Sequence, residues 1–223
     1  CGGVARKRAS AAQNGSNLLP NNGFEQGTSG WVIVLGGYGD ELAGWEKAGQ
    51  RARIADQPVH TGRRALVLNA VGLDHEVDVY SQAVAVEPNH GYRLGSFVRQ
   101  LAGSSGYKVT IDWQTADGKH VRYDNDWRGS DKPKEYQLHG GIFAAPADAG
   151  RAILILGVQA GVQCAFDDLS LQDLGVTEPL GARPRRNGDG KAEITGPERV
   201  EALGYGTWRV VYTCGESGLP VGG

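Results

Sequence analysis

Between residues 30 and 175, apolar and polar side chains repeatedly alternate with the period of two that marks a half-buried β-strand. The cleanest case is Tyr107 to Gln114. Tyr107, Val109, Ile111 and Trp113 share one face, and Lys108, Thr110, Asp112 and Gln114 share the other. Asp117-Gly118 then supplies a hairpin turn, with His120 to Tyr123 returning from it. Tyr92 to Gln100 repeats the pattern, setting Tyr92, Leu94, Ser96 and Val98 against Arg93, Gly95, Phe97 and Arg99. Trp31–Leu35, Arg51–Ala55 and Ala65–Leu68 read as shorter strands, and Val77–Val86 as one long strand ended by Pro88-Asn89-His90-Gly91. Glu135–Ala144 and Arg151–Gln159 follow, divided by Pro146-Ala147-Asp148-Ala149-Gly150. The run Ile153-Leu154-Ile155-Leu156 is apolar on both faces, which places its strand centrally. No helical stretch of useful length occurs. Many short strands with this punctuation predict an all-β fold, a sandwich or barrel.

The two ends of this region carry the stretches Asn17-Leu18-Leu19-Pro20-Asn21-Asn22-Gly23-Phe24-Glu25 and Phe166-Asp167-Asp168-Leu169-Ser170-Leu171. The first reads as a broken edge strand containing a turn. A strand that opens a sandwich and one that closes it often lie side by side, which would gather Glu25, Asp167 and Asp168. Three carboxylates in one place repel unless a cation binds or protons are taken up. The rest of the chain divides by composition. Residues 1–16, with Arg6-Lys7-Arg8 among small polar residues, read as a flexible tether. Residues 17–175 form the folded region, 176–191 a linker, and 192–223 the incomplete start of a second β-rich domain with strands over 192–198 and 206–213. Further domains of the same parent chain are expected from that last segment.

Composition narrows the class. The 23 Lys and Arg against 25 Asp and Glu leave a net charge of −2, whereas a nucleic-acid partner needs a basic face. No run of about 18 apolar residues is present to span a membrane. Three cysteines are too few for a disulfide framework, and Cys164 reads as a buried small hydrophobe. Cys1-Gly2-Gly3 would suit a lipidated mature end at the surface of a secreted protein; the duller reading is a cut end.

Four pieces in order now carry a resemblance: Asn17-Leu18-Leu19…Gly23-Phe24-Glu25, His60-Thr61-Gly62-Arg63-Arg64-Ala65-Leu66, Val84-Ala85-Val86-Glu87-Pro88…Tyr92-Arg93-Leu94, and Phe166-Asp167-Asp168-Leu169-Ser170-Leu171. Their order resembles that of CenC-type carbohydrate-binding modules of the family-four/nine group. That resemblance implies a jelly-roll β-sandwich of two antiparallel sheets, appended to a secreted glycoside-hydrolase-type protein. It also implies a structural Ca²⁺ held by Glu25 and one or both of Asp167 and Asp168, with backbone oxygens near Thr61-Gly62.

Sugar binding has its own basis in the residues. Aromatic faces stack on sugar C–H surfaces and planar polar groups reach the hydroxyls. The outward set Phe97, Arg99, Asp112 and Gln114 has that character, and Tyr123 and Trp127 would stand at its rim, so an oligo- or polysaccharide is the expected partner. Trp113 and Tyr107 read as core. A hydrolase would need two carboxyls about 5 to 10 Å apart across a cleft, and the Asp124/Asp126 and Asp167/Asp168 pairs read as ordinary loop neighbours. The remaining alternative is a jelly-roll spacer with no sugar affinity.

Overall fold

Among the described residues, twelve strands and one turn of helix make up the first of the chain's two units, Cys1–Thr177. The computed structural model describes residues 15–35, 42–43, 45–104, 106–124, 132–176, 197–204 and 207–212. In order the elements are β1 (Trp31–Leu35), β2 (Leu42–Ala43), α1 (Trp45–Ala48), β3 (Ala52–Ala55), β4 (Ala65–Asn69), β5 (Val77–Ser81), β6 (Val84–Ala85), β7 (His90–Ala102), β8 (Tyr107–Gln114), β9 (His120–Asp124), β10 (Gln137–Ala144), β11 (Arg151–Val158) and β12 (Gln163–Val176). A seven-stranded sheet runs β2-β1-β5-β11-β8-β9, with β6 also pairing β11; a five-stranded sheet runs β10-β7-β12-β4-β3. Every pairing is antiparallel. The two sheets make a jelly-roll β-sandwich.

The alternation explains the core. The seven-stranded sheet sends in Ile33, Val77, Val79, Tyr107, Val109, Ile111, Trp113, Leu154 and Leu156. The five-stranded sheet answers with Leu66, Leu68, Tyr92, Leu94, Val98 and Phe166. Burying a large aliphatic or aromatic side chain is worth roughly 1.5–3 kcal/mol, so the inward rows dominate the driving force. The Trp113 indole N–H is satisfied by donating to Asp124 Oδ2 at 2.6 Å. Strand β11 lies between β5 and β8, the central position its two apolar faces require.

One expectation needs correction. The long strand over Val77–Val86 is broken into β5 and β6. Strand β11 pairs β5 through Ile155–Val158 and β6 through Arg151 and Ala152, and between them Leu154 N donates to Ser81 Oγ at 2.9 Å. A side chain thus replaces the backbone ladder at the break, and Gln82 N turns aside to Gly30 O at 2.7 Å. Alternation alone carries no signal for such a step. In the second unit, Glu178–Gly223, β13 (Pro197–Gly204) pairs antiparallel with β14 (Thr207–Tyr212). Of the strand expected over 192–198, only Pro197 and Glu198 lie among the described residues, and both belong to β13.

The opening stretch lies beside the closing strand, as expected, although it makes a single bridge, Asn17 to Gln172, rather than a strand. Asparagine side chains do the fastening. Asn17 Nδ2 and Asn22 Nδ2 donate to Leu169 O at 2.8 and 2.9 Å, and Leu171 N donates to Asn17 Oδ1 at 3.0 Å. Phe24 holds a left-handed φ of 57° that bulky residues rarely adopt. Its ring is wholly buried, 5.1 Å from that of Trp31. The packing energy of the ring holds that backbone in place. Phe24→Ala should therefore cost about 3–5 kcal/mol, read as a drop in the urea midpoint; a change within measurement error would contradict this.

Candidate functional site

The inward rows of β8, β11 and β5 leave the alternate side chains on the outer face of the seven-stranded sheet, and the pairing register sets them in rows across the strands. Val34, Asp78, Gly157 and Lys108 form one row, and Val32, Tyr80, Ile155 and Thr110 the next. Beyond them come Ile153, Asp112 and Tyr123, then Arg151, Gln114 and His120. Glu76, Asp78, Tyr80, Lys108, Thr110, Tyr123 and Ile155 line a shallow depression on this face.

The first row is ionic and almost dry. Lys108 Nζ stands 2.7 Å from Asp78 Oδ2 and 3.4 Å from Glu76 Oε2, with the Asp78 side chain only 4% exposed. The pair spans β11 only because residue 157 is glycine: a Cβ there would fall 2.1 Å from Asp78 Oδ1 and 2.6 Å from Lys108 Cε. Asp78 Oδ1 itself is buried without a hydrogen-bond partner. Burial therefore pushes the Asp78 carboxyl up to about 6, against the opposing pull of Lys108.

The last rows form a hydrogen-bonded network. Gln114 Nε2 donates to Asp112 Oδ2 at 2.5 Å, His120 Nδ1 lies 2.6 Å from Asp112 Oδ1, and Arg151 Nε donates to Gln114 Oε1 at 2.8 Å. Asp112 and Gln114 were expected to be open to a sugar. They are 5% and 8% exposed and already engaged with one another. Tyr123, 39% exposed, tilts against the His120 ring with centroids 4.2 Å apart. Burial, reinforced by the carboxylates and Tyr123 around it, raises the pKa of the Tyr80 hydroxyl, so it stays protonated and able to donate.

Of the sequence-derived sugar residues, this face gathers Asp112, Gln114 and Tyr123. Phe97 and Arg99 do not join them, because β7 belongs to the five-stranded sheet and turns its polar side to the opposite surface of the sandwich. There Phe97 stacks on His60 with centroids 3.6 Å apart, and Arg99 Nη1 lies 3.9 Å from Glu135. Alternation tells the two sides of one strand apart but not which sheet the strand joins, and the chain changes sheet between Ala102 and Tyr107. Trp127 lies outside the described residues. Glu76, Asp78, Tyr80, Lys108, Thr110 and Ile155 were missed. Lys108 and Thr110 stood on the right face of β8, whereas Asp78 and Tyr80 lay in a strand read only as one long run, with no faces assigned.

The acidic residues at the two ends converge on residues 60–64. Asp167, fully buried, accepts from the N–H groups of His60, Thr61 and Asp168 at 2.8, 3.2 and 2.8 Å. Asp168 sits at a register shift in β12 with φ 45°, and both its oxygens receive the Thr61 hydroxyl, at 2.9 and 2.8 Å. Glu25 Oε1 accepts from Arg63 N and Arg64 N at 2.7 and 3.0 Å, over Gly62, where a Cβ would fall 2.2 Å away. Burial pushes the Asp167 carboxyl up to about 6 despite those three donors. Among the described residues no group of three or more His, Cys, Asp or Glu side chains is placed to hold a metal ion. Glu25 contacts one end of the 60–64 turn and the Asp167–Asp168 pair the other.

No protein-family model matches the sequence, and no curated protein matches it either. Solved structures do match in fold. A family 16 carbohydrate-binding module aligns with a TM-score of 0.51 at 18% identity, covering 70% of this chain and 99% of that one. The CBM22-1 xylan-binding domain of Paenibacillus barcinonensis Xyn10C aligns with a TM-score of 0.51 at 16% identity, over 75% and 100%. The enzymatically active part of bacteriophage CBA120 tailspike protein 4 aligns at 0.55 and 13% identity, over 70% of this chain and only 21% of that one. The chain thus spans about a fifth of that tailspike chain and nearly all of each module. The fold is that of carbohydrate-binding modules.

Asp167→Ala would strip three part-buried backbone N–H groups of their acceptor, each lost bond costing about 0.5–1.5 kcal/mol net. The melting temperature should fall by many degrees; one within a degree of wild type would contradict this role.

Proposed function

We propose that residues 17–175 are a non-catalytic carbohydrate-binding module that holds a polysaccharide on the outer face of the seven-stranded sheet. The observation that carries this reading is the depression between Tyr80 and Tyr123, flanked by the Asp112–Gln114–His120–Arg151 network, on a fold shared with carbohydrate-binding modules. Tyrosine rings offer apolar faces for stacking, and the network presents fixed donors and acceptors beside them. Each hydrogen bond gained contributes only about 0.5–1.5 kcal/mol net, so affinity should be micromolar to millimolar, on the order of −8 to −4 kcal/mol. Weak binding suits a module that keeps a larger secreted, glycoside-hydrolase-type protein near its polymer and lets go. A CenC-type module with Trp127 at the rim is the finer form of this reading, with Phe97 and Arg99 no longer part of the same groove.

A structural Ca²⁺ at Glu25, Thr61, Asp167 and Asp168 belongs to the same proposal. The donors are hard oxygens of the kind calcium takes, and calcium fills its 6–8 positions partly from backbone carbonyls and water. Backbone carbonyls and water would have to supply the remaining ligands. Binding the native state alone would raise stability with concentration. The melting temperature should rise by several degrees from EDTA to millimolar calcium; an unchanged value would exclude the site.

A second reading is favoured by one observation: Asp112 and Gln114 already satisfy each other. On that reading the face is a finished surface and the domain is a spacer. Affinity electrophoresis separates the two. The full chain should be retarded in gels containing soluble xylan or β-1,4-galactan. Tyr123→Ala, or Trp127→Ala, should lose that retardation with little change in melting temperature. An intact chain that no neutral or acidic polysaccharide retards would leave the spacer.

A further inference from the structure

On the groove face just described, the Asp78–Lys108 pair is the one feature that stacking and hydrogen bonding to a sugar do not account for. Asp78 is among the most enclosed charged side chains there, its Oδ1 has no partner, and its Oδ2 holds Lys108 down across the bare backbone of Gly157. The Lys108 side chain is 10% exposed, with Glu76 Oε2 as a more distant second carboxylate at 3.4 Å. A lysine stem is long and flexible, and its ammonium follows the carboxylate that stays charged and the more solvated of its partners. Lys108 itself lines the open depression between Tyr80 and Tyr123.

We propose that Asp78 and Lys108 form a proton-operated floor to the groove. With Asp78 ionised, Lys108 lies flat over Gly157 and the tyrosine faces are open to a glycan. With Asp78 protonated, Lys108 turns to Glu76, the more exposed of its two carboxylates, and lifts into the space a sugar ring would fill. This rests on the groove reading and adds to it a control by acidity.

The surroundings of Asp78 set the direction. From β5 and the residue before it come Glu76 and Tyr80, from β8 Lys108 and Asp112, and from β9 Tyr123. Strand β11 offers Ile155 and Gly157, and β1 offers Val32 and Val34, none of which titrates. Burial and Glu76 favour the proton on Asp78 while Lys108 opposes it, which leaves the carboxyl at about 6 instead of 3.8. The folded value is raised, so the native state takes up the proton more readily than the unfolded chain. This group's stabilising effect is greatest below about 3.8 and is lost as pH rises through about 6. Acidification therefore closes the groove without unfolding the domain through this residue.

The test uses the full chain in gels containing soluble xylan or β-1,4-galactan at pH 7.5 and 5.0. Wild type should bind up to about tenfold more weakly at pH 5.0, one factor of ten per unit below the carboxyl's value. Asp78→Asn should bind weakly and equally at both. Because that variant could fold poorly, calorimetry on wild type supplies a second readout. Xylohexaose or β-1,4-galactotetraose, matching the polymer that retards the chain, is titrated at pH 6 in two buffers of different ionisation enthalpy. Binding should release about half a proton at pH 6 and none at pH 8. Equal wild-type binding at both pH values, or buffer-independent heats at pH 6, would overturn the floor and leave the groove standing. No retardation by any glycan at any pH would overturn the groove and the floor together.

Discussion

A two-sheet sandwich forces each strand to turn its apolar row inward, and most of this structure follows from that one constraint. Once Tyr107, Val109, Ile111 and Trp113 face Tyr92, Leu94, Val98 and Phe166 across the core, the opposite rows have no choice of side. Lys108, Thr110, Asp112 and Gln114 must crowd the outer face of one sheet, and Arg93, Phe97 and Arg99 that of the other. Polar residues this close-set cannot all stay hydrated. They pair: Lys108 with Asp78, Asp112 with His120 and Gln114, Gln114 with Arg151. The binding proposed for this surface would therefore use groups whose electrostatics the fold has already constrained.

The same constraint marks what could be read from the sequence. Strand β8 was legible to the residue, because eight positions alternate without exception. The neighbouring of the opening stretch and β12 was legible from paired motifs. What failed needed information about partners. The break between β5 and β6 depends on Ser81 standing in for a backbone donor's partner on β11. The split of Phe97 and Arg99 from Asp112 and Gln114 depends on which sheet each strand enters. Tyr123 was found because it sits one hairpin turn from β8, within the reach of local sequence. Asp78 and Tyr80 sit two strands away in the sheet and some thirty residues earlier in the chain, and only the register of β11 brings them near Lys108 and Thr110.

The two acidic clusters differ in physical character. Around residues 60–64, carboxylates are satisfied by backbone N–H groups and a hydroxyl, so they hold a turn against the end of β12. Between β5 and β8, a carboxylate and an ammonium satisfy each other in a nearly dry place, with one oxygen left over. The first arrangement is rigid in proportion to its hydrogen bonds. The second sits close to balance, because buried ion pairs gain little net stability once desolvation is counted. Their location fits this division: the rigid cluster pins the ends of the domain together, and the balanced pair underlies the exposed face.

The central claim is that ligand chemistry belongs to the outer face of the seven-stranded sheet. Mapping amide chemical shifts of the full chain during titration with xylohexaose or β-1,4-galactotetraose tests it most directly. The account predicts that the largest changes fall on Tyr80, Lys108, Thr110, Asp112, Tyr123 and Ile155, with Phe97, Arg99 and His60 unmoved. Changes centred on Phe97, Arg99 and His60 instead, on the opposite face of the sandwich, would contradict it.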